Sequence, residues 1–221
     1  MSTSSRRDQL LTELRVWGGA SSPVLEALAA VPRERFVPPE SQGHAYDNTA
    51  LSIDAGQTIS QPRMVAEMTT ACRLTPQSRV LEVGTGSGYQ SAILARLCRE
   101  VVSIERIPEL AHQAARRLGE LGVTNVECVV GDGSLGWPAR APYDAILVTA
   151  GAPEIPWPLY EQLAPSGRLV VPVGVGTQSL LTITKTTRGP QTETGVSCVF
   201  VPLVGQAGWP DSSPTPQAPN S

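Results

Sequence analysis

The segment Glu82-Val83-Gly84-Thr85-Gly86-Ser87-Gly88 limits the fold of this chain more than any other. Its first two residues end the strand-like run Val80 to Val83, and it precedes a helical run from Gln90 to Leu97. Strand, glycine turn and helix together open a βαβ unit, and three glycines let the backbone approach a ligand that a Cβ would exclude. The same alternation continues downstream. Val101 to Ile104 reads as a strand, and Leu110, Ala114 and Leu118 mark a helix ending near Gly122. Val126 to Val130 and Ala145 to Val148 are further strands. Leu159 and Leu163 sit on a short helix stopped by Gly167, and Leu169 to Val171 is a strand. This order predicts an α/β fold: a doubly wound, mostly parallel Rossmann-like sheet covered on both faces. Leu180 to Thr184 and Val196 to Val201 lack a helix between them and are expected to close the sheet antiparallel.

Upstream lie extra helices. Leu10, Leu11, Leu14 and Trp17 recur at helical spacing up to Gly18-Gly19, and a second helix runs from Ser22, read as its N-cap, to Ala30. Pro32, Pro38 and Pro39 force an irregular stretch through Gly56, and helix resumes after Ser60. Residues 1–78 are therefore expected to be a helical, substrate-capping segment packed on the domain formed by 79–204. The Pro- and Ser-rich stretch 205–221 lacks core residues and is expected to be disordered.

Composition excludes several classes. With 221 residues and 41% hydrophobic content the chain can build one substantial core. A net charge of −3 argues against a broad nucleic-acid face. No apolar run approaches the ~20 residues that span a bilayer, and Met1 to Ser5 lacks a signal-peptide core, so a cytoplasmic location is expected. Cys72, Cys98, Cys128 and Cys198 are scattered, which points to reduced structural thiols and no metal site. His44 and His112 read as structural or surface residues, and Trp137 and Trp157 as core or cleft walls.

The spacing Gly84-x-Gly86-x-Gly88 differs from the G-x-G-x-x-G loop that places a pyrophosphate on a helix N-terminus. S-adenosylmethionine has no phosphate; it carries a sulfonium, an ammonium and a carboxylate. Glu82 has the right sign to sit near that cationic end. Glu105, closing the second strand, can accept hydrogen bonds from ribose hydroxyls, a device that dehydrogenases share. Asp132, between Gly131 and Gly133, is placed to reach an adenine amino group. Each residue also has a plainer reading, as a tight turn, a surface pair with Arg106, or a turn-former. Their order on successive strand ends favours a methyl-donor site.

Two upstream segments name the substrate. Val31-Pro32-Arg33-Glu34-Arg35-Phe36-Val37 and Gly56-Gln57-Thr58-Ile59-Ser60-Gln61-Pro62, with the glycine loop, Gly131-Asp132-Gly133, Ala141 to Ile146 and Phe200 to Leu203, resemble the protein-L-isoaspartate O-methyltransferases. The resemblance implies a class I methyltransferase fold and methylation of the free α-carboxylate of L-isoaspartyl residues in damaged proteins, an ester that collapses through a succinimide. It implies that Ser60 is the active-site serine. It also implies that Gln57, Thr58, Ile59, Gly84, Thr85, Gly86, Ser87, Gly88, Glu105, Asp132 and Gly133 contact the cofactor. Ile53, Ser60 and Val201-Pro202-Leu203 would line the substrate cleft. Arg63 stands where the family commonly has an aromatic residue, and solvent is its expected surroundings.

The chemistry agrees. An α-carboxyl with a pKa around 3.3–3.7 is already an anion at neutral pH, so no general base is needed. Methyl transfer is then an in-line displacement that mainly needs orientation, and Ser60 would donate to the non-attacking carboxylate oxygen. Spacing alone also permits Ser60 as an N-cap for the following helix. Two other functions share these motifs: aspartate esterification in ribosomally made peptides, and a non-catalytic nucleotide-binding module. A monomer acting on damaged proteins, with neither nucleic acid nor membrane as partner, is the expectation.

Overall fold

The computed structural model describes residues 3–211. Two helices, α1 (Thr3–Trp17) and α2 (Ser22–Ala30), lead into 3-10 turns at Arg33–Phe36 and Pro39–His44. A short hairpin, β1 (Leu51–Ser52) with β2 (Thr58–Ile59), precedes α3 (Pro62–Ala71). Then β3 (Arg79–Val83), α4 (Tyr89–Ala95), β4 (Glu100–Glu105), α5 (Pro108–Glu120), β5 (Val126–Val130), β6 (Tyr143–Val148), α6 (Trp157–Glu161) and β7 (Leu163–Val173) alternate. The antiparallel strands β8 (Gln178–Thr186) and β9 (Gly189–Cys198) close the sheet.

The strand order β5-β4-β3-β6-β7-β8-β9 reverses direction of growth beside β3, so the carboxyl ends of β3, β4 and β6 enclose the switch-point crevice. Both faces of the central parallel strands β3 and β4 are buried, as their apolar runs require, whereas the edge strand β5 is only partly covered. Leu81, Val83, Ile146, Val148, Leu169 and Val171 face one side, against Leu159 and Tyr160 of α6. Val80, Ala145, Leu147 and Val170 face the other, against Met64 and Met68 of α3 and Leu94 of α4. The N-terminal helices add a third cluster, where Leu10, Leu14, Ala27 and Leu28 pack with Phe36, Tyr89 and Ile93. All four cysteines are free thiols, and among the described residues no helix is long and apolar enough to cross a membrane.

Four expectations are corrected. The N-cap of α2 is Ser21, not Ser22, and no side chain caps it. Leu163 and Gly167 belong to β7: Leu163 pairs with Tyr143, and the register shifts before Ala145 meets Arg168. β9 begins at Gly189 rather than near Val196. Its first residues are polar because it is an exposed edge strand, which also explains why Pro190 is tolerated there. Residues 205–211 of the expected disordered tail are instead tied down: Trp209 N–H donates to Leu203 O at 2.7 Å and Trp209 Nε1 to Gly151 O at 3.0 Å. The rest of that stretch, 212–221, lies outside the described residues.

Candidate active site

Gly84 follows β3 with φ +96°, and its N–H donates to Ile104 O at 2.8 Å, turning the chain across the end of β4. A Cβ on Gly84 would overlap Thr149 Oγ1. That hydroxyl donates to Gly84 O at 2.7 Å and is within 3.1 Å of Val83 O, pinning the loop to the end of β6. Glu105, at the end of β4, accepts from Gly86 N–H at 2.9 Å and from Ile107 N–H at 3.0 Å. Two backbone donors thus aim its carboxylate into the crevice and leave lone pairs for a diol.

The cleft above these strand ends is lined by Val83, Gly84, Gly86, Ile104, Glu105, Gly133 and Thr149, with Gln57 from the hairpin segment and Val201, Pro202 and Leu203 opposite. Gly151 fixes that opposite wall: its N–H donates to Val201 O at 2.7 Å, and its carbonyl accepts from Leu203 N–H at 2.8 Å. Ile53 approaches from the other side, with its Cδ1 at 3.6 Å from the position of a Cβ on Gly86. A glycine cradle, an oriented carboxylate and an apolar wall fit the adenosyl part of S-adenosylmethionine.

Not every expected contact residue lines this cleft. Thr58 is exposed in the β1–β2 hairpin, and Ile59 is buried in the N-terminal core cluster, because strand alternation turns it inward. Thr85 is turned inward onto Ser103 Oγ at 2.6 Å, Ser87 lies in a neighbouring groove with Phe36 and Arg117, and Gly88 packs on Ala114. Asp132 is already engaged. Its Oδ1 accepts from Ser134 N–H at 2.9 Å and Ser134 Oγ at 2.7 Å, and its Oδ2 from Gln206 N–H at 2.8 Å. It caps a turn and holds the 205–211 segment, while Gly133 takes the place beside the cleft. Arg63 is exposed and lies over the Trp17 ring at 4.5 Å. His44 and His112 are both exposed outside the cleft, and Trp157 is half-exposed rather than core.

Glu82 does not reach the cleft either. It alternates away from Leu81 and Val83, is fully buried beneath α4, and accepts hydrogen bonds from Ser91 and, at 2.6 Å, from Ser103 Oγ. Burial pushes its pKa up to about 7; the Ser103 and Ser91 hydroxyls oppose the rise and Glu105 adds to it. The folded state therefore holds a proton that the unfolded chain releases, so stability falls as pH rises from about 4.5 to about 7 and levels off above. That interval corresponds to about 3 kcal/mol. Glu82→Gln should remove this slope; urea midpoints at pH 5 and pH 8 that drop as in wild type would count against it.

Ser60 lies between β2 and α3. The N-cap of α3 is Gln61, one residue further on, and no side chain caps that helix. The Ser60 hydroxyl has no hydrogen-bond partner among the described residues, and the side chain is partly exposed. Thr149, Ala150 and Ile107 are cleft residues that sequence reading did not single out. The signal was present, since Thr149 directly follows a strand at its carboxyl end.

Comparison with known proteins agrees with this geometry. A profile of the protein-L-isoaspartate(D-aspartate) O-methyltransferase family matches residues 5–208. A protein-L-isoaspartate O-methyltransferase of Yersinia enterocolitica is 53% identical over 201 residues, covering 91% of this chain and 97% of its own. A solved protein-L-isoaspartate O-methyltransferase superposes with a TM-score of 0.79 at 32% identity, over 88% of this chain and 64% of that one, so this chain spans less than two thirds of it. A candidate protein-L-isoaspartate O-methyltransferase from Plasmodium falciparum, solved with S-adenosyl-L-homocysteine, gives a TM-score of 0.76 at 26% identity, over 87% of this chain and 95% of that one.

Proposed function

The chain belongs to the protein-L-isoaspartate(D-aspartate) O-methyltransferase family, and from that premise we propose that it methylates the free α-carboxylate of L-isoaspartyl residues, with Ser60 holding the acceptor. The observation that carries this is the convergence on one crevice of the glycine loop, Gln57 and the Val201–Leu203 wall. When bound, S-adenosylmethionine would supply an electrophilic methyl group. Gly84, Gly86, Glu105 and Gly133 would hold its adenosyl part, Glu105 through the ribose hydroxyls. The Ser60 hydroxyl, which caps no helix, would donate to one carboxylate oxygen and leave the other free to react. No side chain has to remove a proton, because the acceptor is ionised at neutral pH. Val201, Pro202 and Leu203 bring an apolar wall that limits water around the reacting charges.

Residues 1–78 act in this reading as the cap that presents Ser60, on the same domain as the cofactor core. The working state is a cytoplasmic monomer whose partners are damaged proteins, without nucleic acid or membrane. The test is methyl-labelled S-adenosylmethionine with matched peptides carrying isoaspartate, aspartate or neither. Base-labile methanol from the isoaspartyl peptide alone is the expected result. Label on aspartate points to peptide tailoring, and no label sinks the enzymatic reading.

A further inference from the structure

Arg33 is fully buried, yet none of the ion pairs among the described residues includes it. Burial holds its pKa below the ordinary value, and its Nη1 has no hydrogen-bond partner. A lone buried guanidinium is a poor way to stabilise a fold. What it does hold is specific. Nε donates to Ala45 O at 2.8 Å, and Nη2 donates to Ser60 O at 2.8 Å. Neither the β1–β2 pairing, which ends at Ile59, nor the ladder of α3, which begins with Val65 N–H on Gln61 O, reaches the Ser60 carbonyl.

The same guanidinium lies over the Tyr89 ring, 4.8 Å from its centroid, and Tyr89 packs edge-on against Phe36 at 5.4 Å. Tyr89 is the first residue of α4, directly after Gly88 of the cofactor loop. One rigid planar group thus touches the peptide of Ser60 and the start of the helix that follows the loop. The separation between those two elements sets the distance from acceptor oxygen to methyl donor, where an error of about 1 Å can reduce rate about 100-fold.

We infer that Arg33 is a positioning residue for methyl transfer, a buried fork that fixes Ser60 relative to the glycine loop. The inference rests on the reading of Ser60 as the acceptor-holding residue. Its test is a cycle of Arg33→Lys, Ser60→Ala and the double variant in the full chain, reading kcat, KM for an isoaspartyl peptide, and Kd for S-adenosyl-L-homocysteine. Lysine keeps the charge and loses the planar fork. The expected result is a kcat lower by about 100-fold for Arg33→Lys, with Kd within about threefold of wild type, and a double variant no slower than Ser60→Ala.

Wild-type kcat in Arg33→Lys, multiplicative losses in the double variant, or a parallel loss of cofactor affinity overturns the inference. Wild-type kcat in Ser60→Ala overturns the reading of Ser60 and the inference with it. Where Arg33→Lys does not fold, Arg33→Ala supplied with millimolar guanidinium ion decides. Turnover restored by guanidinium but not by ammonium supports the fork, and folded protein without restored turnover refutes it.

Discussion

Ser60→Ala is expected to lower kcat about 100-fold while S-adenosyl-L-homocysteine binds within about twofold of wild type. The hydroxyl neither caps α3 nor bonds to another described residue, so removing it disturbs no internal contact. It is one residue away from the helix cap, and the carbonyl that anchors its backbone stays on Arg33. In the proposed mechanism, what disappears is the donor that orients the acceptor carboxylate. Because the acceptor loses its charge during transfer, the hydroxyl in this proposal would contribute by aiming the ground state and not by stabilising a developing anion, so Ser60→Thr should recover part of the rate. Single-turnover kinetics with a saturating isoaspartyl peptide measure this. An unchanged rate would show that the carboxylate is oriented elsewhere.

Gly84→Ala should be the most damaging small change in the cofactor cradle. The residue sits at φ +96°, which costs an alanine about 1–2 kcal/mol, and its methyl would overlap Thr149 Oγ1. Relief of the overlap requires Thr149 to leave the Gly84 and Val83 carbonyls, loosening the loop proposed to hold the adenosyl group. Together these give a loss of about 2–4 kcal/mol in stability and at least about tenfold in cofactor affinity. Gly119→Ala is the matched control: it lies within α5 with nothing within 4 Å of its added Cβ, and it should gain about 0.5–1 kcal/mol. Urea unfolding and calorimetric titration of both variants check the pair; equal stabilities would remove the case for a cradle fixed by Thr149.

The parts of this molecule that were legible in sequence are those governed by local pattern. The apolar runs at Val80, Val101 and Ala145, and the glycines after the first of them, specify strands and a turn without reference to distant residues. Position on the far side of a strand was harder to read. Glu82 and Val83 are neighbours in sequence but face opposite layers, and only the placement of α4 decides which one meets the cleft. The contact of Asp132 with Gln206 N–H was not legible, because that partner comes from a stretch whose prolines suggested disorder. The polar residues of β9 concealed a strand, since an exposed edge needs no apolar alternation. Arg33 belonged to a recognisable segment, but its carbonyl partners at Ala45 and Ser60 are set by tertiary folding alone.

The wall at Val201–Leu203 and the turn that backs it, held by Gly151, Asp132 and Ser134, belong to residues 201–211, whereas Gln57 comes from residues before the first strand of the main sheet. The cleft is therefore closed by two segments with the whole sheet between them in sequence. Such long-range contacts reward the chain only after the intervening strands have paired. Affinity for the cofactor should then appear late in refolding, after most secondary structure has formed. The cofactor, in turn, stabilises the last-formed contacts by mass action, so its concentration should set how often the wall opens rather than how fast the sheet assembles.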